Sequence, residues 1–275
     1  MGIRPAAMAM EERKYKIHYR NTDLEISAHY REGPGGLIFF IHGLGCTRES
    51  FSDLRGFPEL RKYSILVPDL AGFGDSARPA GFSYTMEDHA GVCALLLENF
   101  PGGDIHIAGH SMGGAIGLIL AEGLGTRLKT FINIEGNLFR TDCSVSRSAA
   151  TVMDFNRFKE TLFTHIRIFT PVRKEKGTAL WGEWIEKSDP DGFNKSAQSL
   201  VKWTDSGGLL KKFLDLGCRK VYVCGERNSK RKILERLEGI PIISIAGSGH
   251  FPMNDNPDEF YRFMIDFLNQ GERIL

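Results

Sequence analysis

Three short stretches carry residues that could do chemistry together. Gly109-His110-Ser111-Met112-Gly113 fits G-x-S-x-G. It follows the apolar run Ile105 to Ala108 and opens a run of small and apolar residues that reads as a helix. A serine on such a strand-to-helix turn is lifted clear of its neighbours, and the glycines two before and two after it relieve the crowding. The helix start behind it offers unpaired N–H groups and a partial positive charge. A serine hydroxyl needs a base to act as a nucleophile. His250, in Gly247-Ser248-Gly249-His250-Phe251, is the only histidine in the last hundred residues and is the candidate base. Ile41-His42-Gly43-Leu44-Gly45 leaves another apolar run. Such a loop can present a backbone N–H to an oxyanion. Leu44 is the candidate donor, with Met112 giving the second N–H, and such donors are worth about 2.7–4 kcal/mol each. His42 reads as a residue that holds the loop rather than as a catalyst.

A fourth stretch raises a question. Phe131 to Ile134 reads as a buried strand, yet Glu135 follows it directly, before Gly136. A lone glutamate there would be a surface loop residue, because a buried unpaired carboxylate is costly.

These loops need elements to hold them. Tyr15 to Arg20 and Leu24 to Tyr30 alternate as two strands joined by a turn at Asn21-Thr22-Asp23, after a charged lead-in over residues 1–14. Leu37 to Ile41 and Tyr63 to Leu70 are continuous apolar runs, as in parallel strands covered on both faces. Tyr84 to Phe100 and Met112 to Glu122 read as helices, with strands at Asp104 to Ala108 and Leu128 to Ile134. From Asn137 to Leu216 no strand pattern appears. Phe155, Phe158, Leu162, Ile166 and Phe169 mark one helix face, and further helices are expected around Trp181 to Ile185 and Ala197 to Trp203. Strands return at Lys220 to Cys224 and Ile242 to Ala246, with a helix around Ser229 to Leu237 between them. A final helix is N-capped by Asn256, with Pro257 at its first position. The alternation predicts an α/β chain with a mostly parallel sheet and helices on both faces.

Composition narrows the function. The 275 residues carry a net charge of +1, which leaves no basic footprint for nucleic acid. The clusters Arg173 to Lys176 and Lys230 to Lys232 read as solvated faces. No apolar run is long enough to span a membrane, and the first residues lack a secretory signal pattern. Five cysteines without metal-site spacing read as free thiols in a reducing, cytoplasmic setting, with Cys46 structural. Gly72 to Ala77 formally fits a dinucleotide loop. Pro79 and Gly81 then stop the helix that pattern requires, so no cofactor or metal is expected, and Asp75 reads as a turn residue.

Taken together, the His-Gly loop after the third strand, Gly72 to Ser76 after the fourth, G-x-S-x-G after the fifth, the helical insertion and the late Gly-His-Phe resemble the α/β-hydrolase superfamily. The resemblance covers nearly the whole chain. It implies an eight-stranded core from residues 1–136 and 217–275, with 137–216 as a helical cap. It also implies a serine hydrolase, with a carboxylic ester or related acyl compound carrying an apolar portion as substrate. Acyl transfer, carbon–carbon bond hydrolysis and a non-catalytic ligand-binding role share the framework. The superfamily usually places the triad acid after the next-to-last strand, but that place here holds Asn228. An amide cannot support the imidazolium in the same way. Some members carry the acid at the end of the preceding strand instead, where this chain has Glu135. The resemblance therefore implies Ser111, Glu135 and His250 as triad, with Glu226 as the alternative acid and a degenerate site as the remaining possibility.

Overall fold

The computed structural model describes residues 8–152 and 154–270. Its centre is an eight-stranded sheet in the order β1-β2-β4-β3-β5-β6-β7-β8. The strands are β1 (Glu11–Tyr19), β2 (Thr22–Arg31), β3 (Leu37–Ile41), β4 (Ser64–Pro68), β5 (Ile105–His110), β6 (Leu128–Ile134), β7 (Arg219–Gly225) and β8 (Ile242–Ile245). β2 pairs antiparallel with β1 and β4, and every other neighbour pair is parallel. The apolar run of β3 is buried on both faces. Leu37, Phe39 and Ile41 pack into one core cluster, and Ile38 and Phe40 into the other. That is why its sequence shows no polar alternation.

From β3 the chain moves outward to β4, then crosses back to β5 on the other side of β3. The strand order reverses between β3 and β5, so a crevice opens at their carboxyl ends. Both the His42 loop and Ser111 leave strands at this point. Helices α1 (Met86–Leu97), α2 (Met112–Ala121), α9 (Pro252–Asp255) and α10 (Pro257–Asn269) cover the sheet. Between β6 and β7 the described residues hold helices and no strand: α3 (Ser144–Thr151), α4 (Phe155–Phe158), α5 (Thr164–Phe169), α6 (Lys176–Trp184), α7 (Pro190–Ser206) and α8 (Gly208–Asp215).

Four sequence expectations need correction. The charged residues from Glu11 already belong to β1, pairing with β2 up to Tyr30, so the strand begins four residues before the expected Tyr15; residues 1–7 of the lead-in lie outside the described residues. The hairpin turn is Arg20-Asn21, one position earlier than expected, with Arg20 at φ 52° as a tight two-residue turn requires. A π-helical turn, Lys159–Phe163, joins α4 to α5 and rotates the buried stripe. Phe163 is buried while Phe155 and Phe169 are exposed. No α-helix forms at 229–237. Short 3₁₀ turns stand at Glu226–Asn228 and Leu234–Arg236, because Arg231 between them turns inward to a buried partner.

Candidate active site

Ser111 and Glu135 each follow the last residue of a strand, and both have a left-handed backbone (φ 52° and 48°). Such conformations are costly for residues with a Cβ and persist only where the surroundings fix them. The fixing device is the same at both. The Ser111 N–H donates to Ile134 O on the next strand at 2.9 Å, and the Glu135 N–H donates to Val223 O at 2.8 Å. The turn after Ser111 is tight enough that a Cβ on Gly113 would lie 2.1 Å from Ile41 O, which only glycine avoids.

The side chains converge. His250 Nε2 lies 3.0 Å from Ser111 Oγ, and His250 Nδ1 lies 3.4 Å from Glu135 Oε2. An ionised carboxylate only accepts, so Nδ1 carries the ring proton and Nε2 turns its lone pair to the serine hydroxyl. The structure thus brings Ser111, Glu135 and His250 together. Glu226 lies apart, exposed, with its carboxylate on the Gly247 N–H at 2.8 Å.

Glu135 is fully buried. Its Oε1 accepts from the Gly225 N–H (2.8 Å) and Asn228 Nδ2 (2.9 Å), and its Oε2 accepts from Arg231 Nη1 (2.9 Å) as well as facing His250. Burial alone would push its pKa up. The hydrogen bond and charge of His250, the Arg231 charge and the Asn228 bond outweigh that and hold it below its ordinary 4.5. Asn228 thus donates to a carboxylate held at the end of the neighbouring strand, β6. Because the folded pKa is depressed, Glu135 contributes stability at pH above about 4.5, and that contribution is lost as pH falls below it. The gap in denaturation midpoint between the native chain and Glu135→Gln is therefore expected to narrow between pH 5 and 3. A gap that stays constant in urea titrations across that range would contradict the ionised state.

Three neighbours escaped the sequence reading. Asn137 Oδ1 lies 3.1 Å from Ser111 Oγ, and its Nδ2 is tied to Asp142 O at 2.5 Å. The serine proton therefore has two acceptors. His110 donates from Nε2 to the His250 carbonyl at 2.8 Å, which holds the histidine loop. Burial first, then the nearby His250, pushes the His110 pKa well down, so it is neutral. Arg231, expected on a solvated face, sits between Glu135 and the cavity. No pattern in the sequence marked Asn137, and Arg231 was hidden inside a basic run.

The oxyanion candidates lie beside Ser111: Met112 follows it directly, and Leu44 lines the same cavity. Neither the Leu44 nor the Met112 amide donates to another described residue. Trp181 Nε1 donates to Leu44 O at 2.9 Å and ties the loop to α6. His42 is buried with Nδ1 2.8 Å from Gly43 O, while Nε2 accepts from the Leu70 N–H at 2.9 Å, so both ring nitrogens serve the loop. Cys46 borders the same space, but burial raises its thiol pKa well above the ordinary value, which keeps it protonated. Asp75 bonds Arg48 (2.8 Å) and Lys187 (3.3 Å), away from the serine. A cavity of about 230 Å³ opens over Ser111, bordered among others by Leu44, Asn137, Trp181, Arg231 and Phe251.

Residues 38–263 match the model of the Alpha/beta hydrolase family. The chain is 37% identical, over an alignment of 280 positions that covers 96% of its length and 94% of the relative's, to a 2-hydroxy-6-oxo-6-(2'-aminophenyl)hexa-2,4-dienoic acid hydrolase of Metapseudomonas resinovorans. It is 33% identical to Lipase 1 of Psychrobacter immobilis over 132 residues, which span 42% of this chain and only 41% of that lipase. A thermophilic esterase from Thermogutta terrifontis superposes with a TM-score of 0.77 at 21% identity, covering 94% of this chain and 98% of the esterase, a likeness of fold. No helix among the described residues is long and apolar enough to cross a membrane. With the family match spanning most of the sheet and the 37% identity running almost end to end, the chain belongs to the alpha/beta hydrolase family.

Proposed function

We propose that the chain is a serine hydrolase that cleaves a carboxylic ester, or a related acyl compound with an apolar portion, through an acyl-enzyme on Ser111. The observation that carries this reading is the line of contacts from Ser111 Oγ to His250 Nε2 at 3.0 Å and on to buried Glu135. His250 takes the serine proton as Oγ attacks the carbonyl carbon, then gives it to the leaving group. The amides of Leu44 and Met112 receive the oxyanion. Glu135 orients the imidazole and stabilises its charged form. Water then attacks the acyl carbon as His250 takes its proton, the bond from that carbon to Ser111 Oγ breaks, and His250 returns the proton to Oγ as the acid leaves. The helices between β6 and β7 serve as a cap. Trp181 from α6 and Val145 from α3 give the cavity apolar wall.

A second reading has one observation in its favour. The relative aligned over 96% of this chain is named for hydrolysis of a hexadienoic acid. Carbon–carbon bond hydrolysis uses the same nucleophile and base, so the two readings differ in substrate rather than in machinery.

A fluorophosphonate probe is expected to label the native chain at Ser111 and to leave Ser111→Ala unlabelled, as read by peptide mass. Parallel assays with short p-nitrophenyl esters and with a 2-hydroxy-6-oxo-hexa-2,4-dienoic acid then separate the readings. Labelling with ester turnover supports the first, and labelling with dienoic acid turnover alone supports the second. Absence of labelling would overturn both and leave a ligand-binding protein.

A further inference from the structure

Six of the seven large apolar side chains exposed among the described residues lie between β6 and β7: Val145, Phe155, Ile168, Phe169, Val172 and Leu214. Ile168, Phe169 and Val172 fall at the turn from α5 into α6 and are 59%, 50% and 76% exposed. Lone exposed apolar residues are ordinary, but a group of them marks an interaction surface. Arg173 and Lys174 follow directly. Both are exposed, and neither side chain pairs with another described residue. Other charges nearby are already used: Arg167 on Glu186, Lys176 on Asp53, and Glu175 on Arg227. Over residues 154–176 six cations stand against three acids. The turn leads into α6, whose Thr178 and Trp181 border the cavity, as does Val145.

Large apolar side chains beside unpaired cations suit the headgroup layer of a bilayer that contains anionic lipid. A second copy of the chain fits poorly, because self-pairing would set Arg173 and Lys174 against the same charges. We propose that this tip docks on the surface of bilayers containing anionic lipids. Ile168, Phe169 and Val172 enter the headgroup region, while Arg173 and Lys174 meet lipid phosphates. Docking brings the rim of the cavity near the layer in which apolar esters dissolve. It does not itself depend on the hydrolytic reading.

The test is sedimentation of the full chain with vesicles of phosphatidylcholine alone and of an equal mixture with phosphatidylglycerol. Binding to the mixed vesicles is expected to exceed binding to phosphatidylcholine by about tenfold or more and to fall at high salt. Arg173→Glu/Lys174→Glu and Phe169→Ser/Val172→Asp are each expected to lose about tenfold or more of that binding, since each cation near an anionic surface adds about fivefold. Both variants should keep native turnover of a soluble ester, because these residues touch neither Ser111 nor the cavity. Equal binding to both vesicle types, or variants that bind like the native chain, would overturn the proposal. So would a concentration-dependent dimer that Phe169→Ser/Val172→Asp dissolves, with no vesicle binding. A chain that hydrolyses esters but ignores vesicles refutes the docking alone. One that binds vesicles but neither labels nor turns over refutes the hydrolytic reading alone.

Discussion

Ser111→Ala is expected to lower kcat for a p-nitrophenyl ester by about 10⁶-fold, and Ser111→Ala/His250→Ala to lower it no further. The reason lies in the 3.0 Å contact between Ser111 Oγ and His250 Nε2. The hydroxyl becomes a competent nucleophile only as its proton leaves, and the imidazole has work to do only while a serine proton is there to take. Removing either partner removes the whole function, so the losses do not multiply. A residual rate of about 10³–10⁴ over water is expected in all three variants, from binding and from any amide donors near the oxyanion. Steady-state kinetics on the two single variants and the double variant decide the matter. Losses that multiply in the double variant would mean that Ser111 and His250 act independently and that the assigned proton transfer is wrong. Asn137 adds a check, because its Oδ1 also lies within reach of the serine hydroxyl. If Asn137 were the true proton acceptor, Asn137→Ala would match Ser111→Ala rather than preserve most of the rate.

Much of this arrangement was legible in the chain. Leu37 to Ile41 is apolar throughout, and Phe131 to Ile134 nearly so, because parallel strands are covered on both sides, and each stops where a polar residue must leave the sheet. The Gly-x-Ser-x-Gly turn announces itself because only glycine fits so close to Ile41 O. The acid was harder. Spacing alone gives no reason to bury Glu135; it became a candidate only because Asn228 stood where the resemblance expects a carboxylate. Arg231 was hidden for a related reason. A basic run is usually solvated, and Lys230 and Lys232 are indeed exposed, but the middle residue answers a charge from a strand nearly a hundred positions earlier. The same inward turn removed the helix expected at 229–237. The π turn at Lys159–Phe163 misled in another way, since one extra residue in a helical turn shifts a stripe that ordinary periodicity places wrongly.

Glu135→Gln is expected to lower kcat about 10⁴-fold, or about 5.5 kcal/mol of barrier, while leaving KM within a few-fold. The isosteric amide keeps the shape of the site but removes the charge that stabilises the imidazolium. It can also present an N–H to Nδ1 and favour the wrong tautomer. Asn228→Ala should cost tenfold or less, because Gly225 and Arg231 still hold the carboxylate. Asn228→Asp alone would place a second carboxylate where Asn228 Nδ2 now lies, 2.9 Å from Glu135 Oε1. Two acids that close cannot both ionise, so they would share a proton at neutral pH, and stability and rate should both fall. The double change Glu135→Gln/Asn228→Asp relieves that repulsion. It returns one negative charge to the same cluster, beside Arg231 and one residue shell from His250, and it is expected to recover about 10- to 100-fold of the rate lost in Glu135→Gln. That sign reversal, harmful alone and helpful in combination, is what a single charge shared between two strand ends requires. Kinetics on the four variants at one pH, with melting curves to confirm folding, read it directly. If Glu135→Gln keeps nearly full turnover, the acid assignment fails. If the double variant is no faster than Glu135→Gln, then charge near Arg231 is not enough, and the imidazole needs the carboxylate in direct contact from the end of β6.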